Sequence, residues 1–268
     1  MSAKQRLDVV LAELGIEVAK KSLGQNFLIS DFVIDKIVKA ADDFTYEQLL
    51  EIGPGAGALT NGLRAKGKPM RAIELDRKFA EHWRNQGLEI IEADALRVPW
   101  HEWDLSKTLL VSNLPYQISS SLVIDRSLDE KSLVGMVLMF QKEVAQRIRA
   151  NFSTEHYGLL SVIAQNFWEV SLVSDVGPGD FWPPPKIASR VLKFIPKIET
   201  QLNRKKFLSF VKQGFSQRRK VLRKNLSSIL NEEQLTKLQT WIEAQGLNPQ
   251  ARAEELTPAQ WRELFLHI

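Results

Sequence analysis

Four consecutive residues, Asn113-Leu114-Pro115-Tyr116, set an amide, a ring-locked backbone and an aromatic face directly after the apolar run Thr108-Leu109-Leu110-Val111. That run has the composition of a buried strand, so the tetrapeptide begins where the strand ends. There the Asn113 side-chain oxygen and the Leu114 carbonyl can both accept from an exocyclic amine whose ring lies against Tyr116. An adenine held in this way offers its N6 for attack. The same four residues also suit an ordinary turn after a strand, and the neighbouring elements must decide.

Those elements alternate. Short apolar runs near 48–52, 70–75, 88–92, 108–112 and 133–140 read as strands, and helical patterns near 58–66, 77–85, 118–128 and 141–150 follow four of them. Such alternation predicts an α/β fold, an open doubly wound Rossmann-like sheet with ligands bound at the carboxyl ends of its strands. The residues just after each strand therefore carry the argument. After the first comes Glu51-Ile52-Gly53-Pro54-Gly55-Ala56-Gly57-Ala58-Leu59-Thr60, whose alternate glycines permit a sharp turn and close approach of a ligand. Gly53, Gly55 and Ala58 also satisfy a loose dinucleotide fingerprint, which keeps a nicotinamide or flavin enzyme in view. Glu51 and the third glycine fit an S-adenosylmethionine site better, because a carboxylate meets a cationic ligand well and a pyrophosphate badly.

Glu74 closes the second strand, 21 residues after Gly53, where a carboxylate can accept both ribose hydroxyls of an adenosyl ligand. Asp94 and Ala95 follow the third strand, and Asp94 can accept from an adenine amine or cap a turn. Asn113 to Tyr116 follow the fourth, beside that adenosyl site. Gly177 to Lys186 form a stiff loop with Phe181, Trp182 and three consecutive prolines, either a second stacking surface for a base or hydrophobic cover.

The chain has 268 residues, 44% hydrophobic and 25% charged, which suits one large and one small globular domain. Zero cysteines exclude disulfides, thiolate–zinc sites and Cys nucleophiles, and fit a cytoplasmic protein. No apolar run spans a membrane, no signal peptide is evident, and His82, His101, His156 and His267 lack metal-ligand spacing. A helix is expected over 1–20, then a connecting loop and a helix over 31–41.

Another helix is expected over 157–167 and a strand pair over 169–175 and 189–195. Beyond 200 the chain reads as helices near 203–214, 216–229, 231–245 and 257–267, with Phe207, Phe210 and Phe215 in their core. Between Phe194 and Ser228 ten Lys and Arg residues face one carboxylate, Glu199. An uncompensated run of that kind points to a polyanion surface. The expected division is a catalytic domain over 1–198 and a basic helical domain over 199–268.

Six stretches, in order, resemble the ribosomal RNA adenine dimethyltransferase family, which acts on small-subunit rRNA and has the erythromycin-resistance methylases as close relatives. They are Gly24-Gln25-Asn26-Phe27-Leu28, the glycine loop at 51–60, Glu74-Leu75-Asp76, Asn113 to Tyr116, Gln141 to Arg147, and Arg218 to Leu226. The resemblance implies that Asn26 and Leu28 hold the methionine end of S-adenosylmethionine, Gly53 lies against it, Glu74 takes the ribose, and Asp94 with Ala95 reads the adenine. It implies further that Asn113 serves cofactor and target amine together, Tyr116 stacks on the base and Phe181 covers its other face.

Lys186, Arg218, Arg219, Lys220, Arg223 and Lys224 are the expected RNA contacts. The implied reaction is N6-dimethylation of adjacent adenines near the 3′ end of small-subunit rRNA during ribosome biogenesis, by a metal-free monomer acting on rRNA or a pre-30S particle. The rivals are a large-subunit methylase of the resistance type, a nicotinamide oxidoreductase, and a non-catalytic RNA or transcription factor on the same fold.

Overall fold

Leu109, Leu110 and Val111 have no exposed surface, so β5 (Thr108–Asn113) is covered on both faces, as a strand inside a parallel sheet must be. The computed structural model describes residues 1–17, 26–129, 133–197 and 202–268. Beside β5 lie β2 (Gln48–Ile52), β3 (Met70–Glu74), β4 (Glu89–Glu92), β6 (Gly135–Gln141), β7 (Trp168–Val176) and β9 (Ser189–Pro196). Their order is β4-β3-β2-β5-β6-β9-β7. Pairing is parallel from β4 through β6 and antiparallel between β6 and β9. The chain travels outward from β2 to β4, then returns to place β5 on the other side of β2. The carboxyl ends of β2 and β5 therefore flank the point where strand order reverses.

Odd-numbered strand residues Leu49, Leu109, Val111, Val137, Met139 and Val191 form one buried cluster with Val33, Ile34, Ile37 and Ala40. Those four are the buried face of α2 (Asp31–Ala40). Strand periodicity of two and helical spacing of three and four meet there, and each buried aliphatic side chain contributes about 1.5–3 kcal/mol. The remaining helices of this part are α1 (Ala3–Glu13), α3 (Thr60–Arg64), α4 (Arg77–Asn85), α5 (Ser119–Leu128) and α6 (Lys142–Ile148). The first helix is shorter than 1–20: Gly15 at φ +58° follows its C-cap Leu14, a left-handed residue that ends a helix cheaply only as glycine. Residues 18–25, including Gly24 and Gln25, lie outside the described residues. A small antiparallel pair joins β1 (Phe27–Leu28) to β8 (Phe181–Trp182).

The chain divides into two compact units, Met1–Ala145 with Val170–Pro196, and Gln146–Glu169 with Lys197–Ile268. The expected boundary at 198/199 falls in 198–201, outside the described residues, and 146–169 groups with the C-terminal helices rather than with the sheet. The physical reason is aromatic: Phe167, which ends α7 (Leu159–Phe167), packs edge-on against Phe207 of α8 (Arg204–Gly214), centroids 6.2 Å apart. Phe207 and Phe210 also pack on Phe265, and Phe210 and Phe215 on Trp261, both from α11 (Pro258–His267). Phe207 and Phe210 form core, as their spacing predicts, and Phe215, half-buried at the C-cap of α8, packs at its edge.

The expected helix over 216–229 is instead an exposed turn followed by α9 (Leu222–Leu226), ahead of α10 (Glu232–Ala244). Buried Asn225 explains the break: its amide donates to the Gly214 carbonyl at 2.6 Å and the Gln217 carbonyl at 3.0 Å. Those bonds satisfy carbonyls at the end of α8 and hold the basic turn in place. Asn225→Ala removes both donors and is expected to destabilise the second unit by about 1–3 kcal/mol, the cost of leaving the buried Gly214 carbonyl without a partner, whereas the carbonyl of exposed Gln217 can turn to water. Thermal unfolding measures this, and an unchanged midpoint would show that Asn225 does not hold the turn.

Candidate active site

Between the ends of β2 and β5 lies a cavity of about 320 Å³ within the first unit. All the residues expected to hold a nucleoside donor line it: Asn26, Leu28, Gly53, Gly55, Glu74, Asp94, Ala95 and Asn113. Leu114, Pro115 and Tyr116 line it too, joined by Ala3, Arg6 and Leu7 from α1, which periodicity alone did not associate with the site.

The floor is the glycine loop. Gly53, Gly55 and Gly57 have φ of +67°, +49° and +86°, a region costly for any residue with a Cβ. The Gly53 amide donates to the Ile73 carbonyl at 2.8 Å, extending the sheet contact one residue past β2. Gly55 is gripped on both sides: its amide donates to Glu74 Oε2 at 3.0 Å, and its carbonyl accepts from Trp83 Nε1 at 2.8 Å. Trp83, on the buried face of α4, also fills the space above Gly57, where a Cβ would come within 2.4 Å of the ring.

Glu74 Oε1 accepts from the Asp76 amide at 2.8 Å, so backbone donors fix both carboxylate oxygens. Burial pushes this carboxyl up, opposed by the Asp76 and Gly55 amides. Glu51, 1% exposed, accepts from Thr60 Oγ1 at 2.8 Å. Burial pushes it up to about 8, the Thr60 bond opposing and the nearby Glu74 charge adding. Without a cationic ligand, burial thus favours the protonated form of Glu51.

At the far end, Asp94 Oδ1 accepts from the Leu96 amide at 2.9 Å, which sets the turn carrying Ala95. The Ala95 carbonyl accepts from Trp100 Nε1 at 2.7 Å, and the Arg126 guanidinium stacks 4.0 Å over the Trp100 ring. Trp83 and Trp100 thus hold the two ligand-facing loops from behind. A sequence signals them only as apolar residues after a strand, without showing which carbonyl each will reach.

At the end of β5, buried Ser112 donates to the Ile52 carbonyl at 2.6 Å, tying the two strand ends together. Asn113 Nδ2 donates to the Asn26 carbonyl at 3.4 Å, which commits the nitrogen and leaves Oδ1 as the acceptor. The Pro115 and Tyr116 carbonyls are used by Ile118 and Ser119, whereas no described hydrogen bond ends on the Leu114 carbonyl. Tyr116 OH pairs with Ser189 Oγ at 2.9 Å, so its ring is pinned at the far end. A Cβ on Gly53 would stand 3.7 Å from Pro115 Cδ, which places the glycine loop and the β5 end in near contact.

Phe181 is elsewhere: it is 2% exposed, pairs with Leu28 across β1 and β8, and belongs to the core cluster of Val33 and Ile37 rather than the cavity wall. Its ring packs as hydrophobic cover in this structure. Lys186 is exposed in the first unit, and Arg218, Arg219, Lys220, Arg223 and Lys224 are exposed in the second. Arg218 is structurally engaged, donating to Glu254 at 2.8 Å and to the Thr154 and Glu155 carbonyls. The other four of the second unit have no carboxylate within ion-pair distance among the described residues. Nor do the described residues contain a group of three or more His, Asp or Glu side chains arranged for a metal ion.

Residues 16–268 match the family model of ribosomal RNA adenine dimethylase. The Ribosomal RNA small subunit methyltransferase A of Bdellovibrio bacteriovorus is 52% identical, covering 99% of this chain and 98% of the relative. The protein of that name from Xanthomonas campestris is 40% identical over 92% of this chain and 95% of its own. Among solved structures, a dimethyladenosine transferase from Plasmodium falciparum superposes with TM-score 0.71 at 26% identity, covering 89% of this chain and 96% of that one. The 23S rRNA methyltransferase ErmE shares the fold, with TM-score 0.68 over 90% of this chain and 99% of its own at 24% identity. The fold is thus that of the Rossmann-like methyltransferases, and the chain belongs to the ribosomal RNA adenine dimethylase family.

Proposed function

We propose that this protein dimethylates the N6 of adjacent adenines near the 3′ end of small-subunit ribosomal RNA, with S-adenosylmethionine as donor, in the cytoplasm during assembly of the subunit. The observation that carries the reading is the junction at Asn113. One amide there bridges to Asn26 on the donor side and keeps its oxygen, with the Leu114 carbonyl, for an acceptor amine.

The cavity suits the donor group by group. Glu74 would take the ribose hydroxyls, Asp94 the adenine amine, Asn26 and Leu28 the methionine end, and Glu51 a positive charge. When bound, S-adenosylmethionine supplies a methyl on a cationic sulfur, ready for direct displacement. The chain's own task is to prepare the nucleophile. An N6 lone pair delocalised into adenine attacks poorly, and accepting its two hydrogens at Asn113 Oδ1 and the Leu114 carbonyl favours the tetrahedral nitrogen that attacks well. Transfer breaks the sulfur–methyl bond, leaves a neutral thioether and gives an N-methylated ammonium; once that releases a proton to solvent a single N–H remains, so only one acceptor is needed in the second round. Tyr116, pinned through Ser189, gives the extruded ring a fixed face and offsets an unstacking cost of a few kcal/mol. Holding the reactants in line can contribute roughly 7–11 kcal/mol.

Asn113→Ala is expected to lower methyl transfer about 10²–10³-fold, as when one preorganised hydrogen-bonding group is lost, while rRNA binding persists. Mass spectrometry of products from undermethylated small subunits and from naked rRNA reads the target, the number of methyls and the preferred substrate. Unchanged transfer would remove Asn113 from the site.

Glu51 links binding to pH. Its folded-state value near 8 lies above the ordinary 4.5, so its contribution to stability is complete below pH 4.5 and is lost as pH rises through about 8. A cationic ligand reverses the preference and binds with proton release, so donor affinity should rise as pH increases toward 8, by up to about tenfold per pH unit. Calorimetry in two buffers of different ionisation enthalpy measures that proton, and Glu51→Gln should abolish it. A wild type that releases none would separate Glu51 from the ligand's charge.

For the second unit, replacing Arg219, Lys220, Arg223 and Lys224 by Gln should weaken rRNA binding across sequences. The slope of log K against log salt should fall by about 0.7–0.9 for each phosphate that is no longer neutralised. An unaltered slope would place the RNA on another surface.

A further inference from the structure

Among the described residues, the charged side chains in the cavity wall are Arg6, Glu51, Glu74 and Asp94, one cation and three carboxyl groups. Arg6 stands on α1, ahead of the span 16–268 that the family model matches. Its position is built. Both oxygens of Asp31, the first residue of α2, accept from the Ala3 amide at 3.1 Å, which fixes the first turn of α1 against α2. Arg6 Nη2 reaches the same Asp31 at 2.9 Å, and Nη1 donates to the Met1 carbonyl at 2.7 Å.

Flanking side chains locate it along the cavity. Ala3 packs in the cluster that contains Leu28, and Leu7 in the cluster that contains Phe27 and Ala56. Arg6 therefore stands at the Asn26–Leu28 end and not at the Asp94–Ala95 end. S-adenosylmethionine carries a single anion, the carboxylate of its methionine part, and that part is assigned to Asn26 and Leu28.

We infer that Arg6 binds the carboxylate of the methyl donor, making α1 a functional wall of the cavity; the inference rests on the donor reading given above. A guanidinium has five N–H donors in a planar fork, and the two described bonds leave others for a carboxylate. Asp31 does not need Arg6 to remain satisfied, because the Ala3 amide already serves both its oxygens. The ion pair is also solvent-exposed, with side chains 34% and 50% accessible, so exchange of partners is inexpensive.

The test measures dissociation constants of wild type, Arg6→Ala and Arg6→Lys for S-adenosylmethionine and for its decarboxylated analogue. Arg6→Ala should weaken binding of the intact donor by about tenfold or more and change the analogue by less than about twofold, with Arg6→Lys recovering part of the loss. Equal losses for both ligands would reduce Arg6 to a support of α1, and no loss for the intact donor would remove it from the site; either overturns the inference. A wild type that binds neither ligand would instead sink the donor reading itself, an outcome visible before any variant is measured.

Discussion

The peptide flanks of Gly55 carry the constraint on which the site depends. Its amide is held by Glu74 and its carbonyl by Trp83, so the turn after β2 is fixed from the sheet side and the helix side together. Neither partner is free to serve only the loop. Glu74 ends β3, and Trp83 lies buried on α4, which follows it. The β2–β3 pairing, the packing of α4 and the curvature of the glycine loop are therefore one arrangement. A change in any of them moves the others, and with them the carboxylate that would take the ribose.

Charge is sorted by burial. Glu51 and Glu74 are nearly inaccessible, and burial raises both, yet each has a donor in place. Thr60 serves Glu51, and two backbone amides serve Glu74. A cationic ligand would find carboxyl groups whose ionisation it favours, in a medium where that attraction is poorly screened. The cations of the second unit obey the opposite rule. Arg219, Lys220, Arg223 and Lys224 stay exposed and, among the described residues, without carboxylates. Forgoing surface ion pairs sacrifices little, about 0–1 kcal/mol each, and leaves the field needed to attract phosphates.

Local chemistry was legible in the sequence wherever a residue acts through its own strand or helix. The strands of the sheet, the glycine loop and the carboxylates at the ends of β3 and β4 follow from period, turn chemistry and spacing. The resemblance added Asn26 and Leu28, which periodicity could not place. Partners distant in sequence escaped. Trp83 and Trp100 read as apolar residues, and only the folded chain shows which carbonyls they hold. The expected helix over 216–229 failed because Asn225 offers backbone carbonyls a better partner than helix propagation would. Residues 146–169 read as part of the sheet domain because aromatic packing between Phe167 and Phe207 has no sequence period. For Phe181, where the sequence left a stacking surface and hydrophobic cover both open, the β1–β8 pair seats the ring against the core cluster of Val33 and Ile37.

Why an asparagine at the end of β5 should face both reactants follows from three links across the switch point. Ser112 is bound to the carbonyl of Ile52, Asn113 to that of Asn26, and Pro115 stands beside Gly53. Each link joins the β5 end to a segment that lines the donor side. The acceptor groups at Asn113 and Leu114 are consequently fixed relative to the donor cavity by backbone and short side chains, with no long flexible residue between them. For a reaction whose chemistry is supplied almost entirely by alignment, that rigidity is the protein's main contribution. It also explains how so short a stretch could carry the proposed function: Asn113 to Tyr116 form the meeting line of two loops, each positioned by the sheet.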